Sequence, residues 1–140
     1  MSVYIDSSVL LRIILGEPDP LVTWSTITDP VSSELIRLEC LRTIDRARIR
    51  LGLDDRDVAR QRADVLEAIQ AFDLVPLDGA VLNRAAEPLP TSLGSLDAIH
   101  LASARLIRDR WPDLTFATHD HELGIAALSV GFAVDGLVDA

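Results

Sequence analysis

The sequence predicts one alternating α/β domain over residues 1–140, with a mostly parallel sheet of about four to five strands and helices on both faces. Three observations predict it. Short β-rich apolar runs alternate with segments of helical spacing from end to end, and no repeat, low-complexity tract or linker interrupts them. The chain has 140 residues, enough for one substantial core. Parallel strands need crossover helices, and the strand-then-helix order supplies them.

Taken in order, "SVYI" is a strand and "SSVLLRIILGE" a helix stopped by Pro18. "DPLVTWSTIT" fits a second short helix, and "DPVSS" a brief strand. "ELIRLECLRTIDRARIRLG" is a long helix closed by Gly52, its inward stripe marked by Leu35, Leu38, Leu41 and Arg42. "DDRDVARQRADVLEAIQAF" opens on capping acids and carries Val58, Ala59, Arg62, Val65, Leu66 and Ile69 at helical intervals. "DLVPL" is a strand candidate that Pro76 weakens for an interior position. After "GAVLNRAAE" and the loop "PLPTSLGS", Ser95 is the expected N-cap of a helix "LDAIHLASARLIRDRW" ending at Pro112. "LTFATHD" is a strand with an acid at its end, "HELGIAALSVG" a helix and "FAVDGL" the last strand.

Composition narrows the chemistry. There are 22 acidic against 13 basic residues, a formal charge of −9, and every basic residue is arginine. Without lysine, a P-loop lacks its phosphate-binding cation and Schiff-base catalysis its amine, and the dehalogenase-like and receiver-type Asp sites lack the lysine they keep beside the acid. One cysteine, Cys40, permits no intrachain disulfide and fits a reducing cytosol. No signal-like start is present, and the early apolar run is short and broken by Arg12, so the expectation is a soluble, cytoplasmic protein without membrane association.

Ligands of open α/β sheets bind outside the carboxyl ends of the strands, where Asp6 and Asp120 are expected. Asp97 falls in the first turn of its helix; it is either a third acid at that rim or a helix-terminal charge favoured by the dipole. On the long helix Glu39 is the preferred fourth acid, with Glu34 the alternative. Two like charges about 4 Å apart repel by about 4 kcal/mol at an effective dielectric near 20, which several pairs would raise to the scale of a small domain's whole stability. Such a cluster calls for neutralisation, and oxygen ligands alone suit Mg²⁺ or Mn²⁺ shared with a phosphate ester.

Four stretches in order, "YIDSSVL", "SSELIRLECLR", "GSLDAIHLASA" and "FATHDHEL", resemble the PIN-domain ribonucleases, specifically the VapC toxins of type II VapBC toxin–antitoxin systems. The resemblance spans essentially the whole chain. It implies Asp6, Glu39, Asp97 and Asp120 as catalytic and metal-binding acids, with Ser7 and Thr118 hydrogen-bonding in support. It also implies metal-dependent endonucleolytic hydrolysis of RNA to 5′-phosphate and 3′-hydroxyl products. The expected partners are an RNA substrate and a VapB-like antitoxin, with a homodimer and heterotetrameric or larger complexes.

The net negative charge runs against nucleic-acid binding, which draws on basic residues. Arg46, Arg48 and Arg50 form a weak candidate RNA track; the plainer reading is solvated helix faces paired with acids such as Asp45. His100, His119 and His121 lack the companions of a zinc set, and Cys40 and the aromatic residues read as core. The competing functions are a non-catalytic RNA- or protein-binding module and a Mg²⁺-dependent phosphatase.

Overall fold

The computed structural model describes residues 1–138; residues 139 and 140 of the expected domain lie outside them. The chain runs β1 (Ser2–Ile5), α1 (Ser7–Ile14), β2 (Asp29–Ser33), α2 (Leu35–Leu51), α3 (Asp55–Gln70), β3 (Asp73–Val75), α4 (Gly79–Ala85), α5 (Ser95–Ile107), β4 (Thr115–Ala117), α6 (His121–Ser129) and β5 (Val134–Asp135). The five strands form one sheet of order β3-β2-β1-β4-β5, every pairing parallel. The expected α/β architecture is the one observed. From β1 the chain builds outward to β2 and β3, then returns to add β4 and β5 on the other side. That reversal makes the carboxyl ends of β1 and β4 the switch point at which ligands of such sheets bind.

Strand alternation divides the core in two, because successive side chains point to opposite faces. Val3 and Ile5 join Leu10, Ile36, Ile44 and Val65 on the face covered by α1, α2 and α3. Tyr4 points the other way and packs with Phe116, Leu101, Ala104 and Leu123 beneath α4, α5 and α6. A parallel sheet must be covered on both faces, and this one is. No helix among the described residues is long and apolar enough to cross a membrane.

Several local expectations need correction. "DPLVTWSTIT" forms only a 3₁₀ turn, Trp24–Thr26; Val22, Thr23, Thr26, Ile27 and Thr28 are β-branched, and the stretch is too short to offset their stiffness with a buried face. The buried residues of α2 are Leu35, as expected, and Ile36, Cys40, Ile44 and Ala47, while Leu38 is 59% exposed, Leu41 only partly buried and Arg42 exposed. The repeating leucines masked a stripe rotated by part of a turn. On α3, Val65 and Ile69 are buried but Ala59, Arg62 and Leu66 are exposed. "GAVLNRAAE", left without an element above, holds α4, capped by the Asp78 carboxylate accepting from Val81 N–H at 3.1 Å. Gly94, not Ser95, occupies the N-cap of α5, its carbonyl accepting from Ala98 N–H at 2.9 Å, and the helix ends at Ile107 rather than at Pro112. β4 stops at Ala117, so Asp120 caps α6 instead of ending the strand. β3 is an edge strand that ends just before Pro76, as a residue without an N–H donor requires.

Two of the four glycines with positive φ among the described residues have it for different reasons. Gly52 (φ +63°) closes α2 with open space around it, whereas a Cβ on Gly136 (φ +102°) would lie 2.6 Å from the Thr118 carbonyl oxygen. Gly52→Ala should therefore cost about 1 kcal/mol of αL strain, and Gly136→Ala clearly more, because backbone must also move. Urea unfolding of the two variants checks this; equal midpoints would contradict the packing of the β5 end against β4.

Candidate active site

The site grows from the pairing of β1 with β4. Ile5 is in register with Ala117, and one residue further the Asp6 N–H donates to the Ala117 carbonyl at 3.0 Å. Asp6 thereby leaves the sheet beside Thr118 and becomes the N-cap residue of α1. It is 4% exposed, and a buried carboxylate must be met by donors. Thr118 Oγ1 donates to Asp6 Oδ2 at 2.8 Å, Ser8 Oγ donates to the same oxygen at 2.6 Å, and Ser7 Oγ approaches Oδ1 at 3.4 Å.

The same hydroxyls tie down the β4–α6 turn. Thr118 Oγ1 accepts from Asp120 N–H at 3.0 Å, and Ser8 Oγ accepts from His119 N–H at 3.0 Å. Asp120 Oδ1 caps α6 by accepting from Leu123 N–H at 3.1 Å, which commits one carboxylate oxygen to the helix. Asp6, Ser8, Thr118 and Asp120 are thus one hydrogen-bonded unit across two strand ends.

Asp97 and Glu39 arrive from helices on opposite faces of the sheet. Asp97, in the first turn of α5, is half-buried. Burial pushes its carboxyl up to about 6, and the charges of Asp120, Asp6 and Glu39 push in the same direction against a smaller pull from His100. Glu34, the alternative to Glu39, is elsewhere: it is exposed and accepts from Leu77 N–H at 3.2 Å.

His100 was set aside on sequence grounds, yet it is fully buried within the site. Its Nε2 meets Glu39 Oε1 and stands 3.7 Å from Asp6 Oδ1, while Nδ1 meets the Tyr4 hydroxyl at 2.8 Å. Each ring nitrogen thus has one partner, Glu39 at Nε2 and the Tyr4 hydroxyl at Nδ1. Burial pulls the His100 pKa down, but the Glu39 hydrogen bond and the Asp6, Glu39 and Asp97 charges raise it on balance. Burial likewise drives the Tyr4 hydroxyl well above its usual pKa, which keeps it protonated. The spacing Asp97 to His100, one helical turn, was the available signal; Ser8, within the first motif, was the other residue missed.

The remaining candidates sort by geometry. Arg46 lines a groove beside Glu39 and Ser7, but Arg48 turns to Asp45 at 3.1 Å, and exposed Arg50 lies in the last turn of α2. His119 Nδ1 contacts the Gly136 carbonyl at 2.8 Å, and His121 is exposed. Cys40 is sealed in the core with its thiol pushed up to about 12 by burial and the Glu39 and Asp6 charges, too high for a nucleophile. The donor set is therefore hard oxygen, which fits Mg²⁺ or Mn²⁺ better than a softer metal. Among the described residues no three acidic, His or Cys side chains form a ready-made cage.

A family model of the PIN domain matches residues 3–126. The chain is 34% identical over 138 residues to Ribonuclease VapC47 of Mycobacterium tuberculosis (strain CDC 1551 / Oshkosh), the match covering 93% of each chain. It is 34% identical over 137 residues to Ribonuclease VapC46 of Mycobacterium tuberculosis (strain ATCC 25618 / H37Rv), covering 95% of each.

Two outcomes follow from this geometry. In a double-mutant cycle of His100→Leu and Glu39→Gln, urea unfolding should give a coupling of about 0.5–3 kcal/mol; simple additivity would mean that the buried contact contributes nothing. For Asp97, the folded pKa near 6 lies above the unfolded carboxylate's. The folded state then binds the extra proton between about pH 4 and 6, and stability falls as pH rises through that window. In EDTA-treated protein Asp97→Asn should flatten that decline; an unchanged profile would remove Asp97 from the cluster.

Proposed function

The chain belongs to the PIN-domain family, and on that footing we propose that it is a VapC-type endoribonuclease, the toxin of a type II toxin–antitoxin pair, hydrolysing RNA at its four-acid site. The observation that supports the reading is the buried Asp6 carboxylate at the β1–β4 edge, held by Thr118 and Ser8, with Glu39 joined to it through His100 and Asp97 in the first turn of α5. Several carboxylates near one rim, Asp6 buried and Glu39 and Asp97 half-buried, are unfavourable in the bare protein and would suit a divalent cation.

Asp6 and Asp97 are the proposed principal ligands, with Glu39 and Asp120 completing the shell or orienting water. Mg²⁺ or Mn²⁺ bound there supplies Lewis-acid stabilisation of the scissile phosphate and makes an attacking water more acidic. The protein's own part is positioning. Thr118, Ser7 and Ser8 direct hydrogen bonds at Asp6 and leave its carboxylate no freedom to rotate away. His100 fixes Glu39 from the other layer, and the N-cap bond of Asp120 leaves its second oxygen for the site. Buried neighbours beneath the acids limit water access from below and strengthen every charge interaction at the rim.

The toxin assignment carries a VapB-like antitoxin as partner, and the homodimer with heterotetrameric or larger complexes that goes with it. Arg46 is the proposed RNA contact retained from the arginine track; Arg48 is engaged by Asp45.

Purified protein incubated with total RNA should make discrete cuts with Mg²⁺ or Mn²⁺ and none with EDTA, Asp6→Asn and Asp97→Asn should be inactive though folded, and Thr118→Val should lose about 10- to 100-fold. Metal-independent cutting, or full activity of the Asp97 variant, would defeat the assignment. Release of inorganic phosphate from a small ester without RNA cleavage would move it to a phosphatase.

A further inference from the structure

Beside the acids lies a groove of about 310 Å³ whose lining includes Ser7, Glu39, Leu38, Arg42, Arg46 and Leu96. Its composition is unusual for a solvated helix face. Leu38 and Leu96 are 59% and 51% exposed, and each precedes a candidate acid, Glu39 or Asp97, on helices from opposite layers of the fold. Two large, half-exposed aliphatic side chains therefore flank the mouth of the groove.

The arginines continue the pattern along α2. Glu39, Arg42 and Arg46 are three and seven residues apart and share one helix face, which carries the groove about 10 Å away from the acids. Arg42 is shared with Asp45 at 3.5 Å. Arg46 makes no carboxylate pair among the described residues; its guanidinium donates to Thr43 Oγ1 at 3.2 Å, and Thr43 also lines the groove. The sequence of surfaces is thus acid, aliphatic, then cation.

We propose that this groove is a nucleotide subsite, in which the RNA unit next to the scissile bond lays its base across Leu38 and Leu96 and sets its outer phosphate on Arg46. The inference rests on the ribonuclease reading of the acid site. Charge complementarity favours RNA over a basic protein tail, because Arg46, with no carboxylate partner among the described residues, attracts a phosphodiester and repels basic side chains. A chain of net charge −9 has no general attraction for RNA, so affinity must come from a local arrangement of this kind. No aromatic side chain lines the groove, so the base contact is aliphatic and tolerant of base identity, with order supplied by the phosphate.

The test is fluorescence anisotropy with a labelled random-sequence single-stranded RNA, in Mg²⁺ across a salt series, using an Asp97→Asn background so that the RNA stays intact. Arg46→Gln should weaken binding and reduce the slope of log K against log salt by about 0.7, the value of one single-strand phosphate contact. Leu96→Ala should weaken binding by about threefold or more with the slope unchanged, through lost apolar burial. Arg60→Gln, on α3 and paired with Asp57, should change neither. Absence of RNA binding, or binding that Arg46→Gln and Leu96→Ala leave as it was, overturns the subsite; in the second case the groove passes to a protein partner. Cleavage by the intact protein is scored separately. Arg46-dependent binding without cleavage sinks the nuclease reading and keeps the subsite, whereas cleavage with an unaltered salt slope does the reverse.

Discussion

The buried carboxylate of Asp6 is the constraint around which the protein is arranged. A carboxylate with 4% exposure is tolerable only where hydrogen-bond donors surround it, and this one takes them from two segments that the sheet brings together. Ser7 and Ser8 come from the turn into α1, and Thr118 from the end of β4, more than a hundred residues away in the chain. The β1–β4 register makes this possible: Ile5 opposite Ala117 leaves Asp6 opposite Thr118. Shifting either strand by one residue would turn its apolar side chains to the wrong face and also separate the acid from its donors.

The electrostatics of the site run against the stability of the bare fold. Burial first, and then the charges of Asp120, Asp6 and Glu39, raise the Asp97 pKa, so the folded chain holds a proton that the unfolded chain would release. His100 offsets part of this from beneath, linking α5 to α2 through Glu39 and reaching β1 through Tyr4. Structural and functional demands meet in that residue: it fills the core under α5 and holds an acid at the rim. Strain of this kind is what a site prepared for a cation and a phosphate would carry, since the charge that destabilises the empty cluster is the charge that would bind the ion.

The sequence showed some parts of this plainly and hid others for identifiable reasons. β1, α3 and β2 were readable because their boundaries carry strong local signals: a β-rich run, the Asp54 cap, and a short strand after Thr28. The region 19–28 was misread as helix because its apolar spacing says nothing of the surface that must bury it. The α2 stripe was only partly placed: Leu35 is buried as expected, but Leu38 and Leu41 imitate an inward face that in fact continues through Ile36, Cys40 and Ile44, chosen by contact with α1, α3 and the sheet. In the site, the acids stood out through their positions after strands and at helix starts. His100 did not, since nothing local distinguishes a histidine packed under a helix from one that meets a glutamate on another.

What the sequence determined by itself was the alternation of strands and helices, the absence of lysine and disulfide chemistry, and four acid-bearing motifs in order, because periodicity, composition and short spacing are properties of adjacent residues. What only the tertiary structure decided was which residues meet: Thr118 and Ser8 on Asp6, Glu39 rather than Glu34 at the rim, His100 between the layers, and Leu38, Leu96 and Arg46 along one groove. Those contacts join segments far apart in the chain. They exist because parallel pairing fixes the register of β1 and β4 and because helices on opposite faces of the sheet converge at its carboxyl edge, neither of which a local pattern encodes.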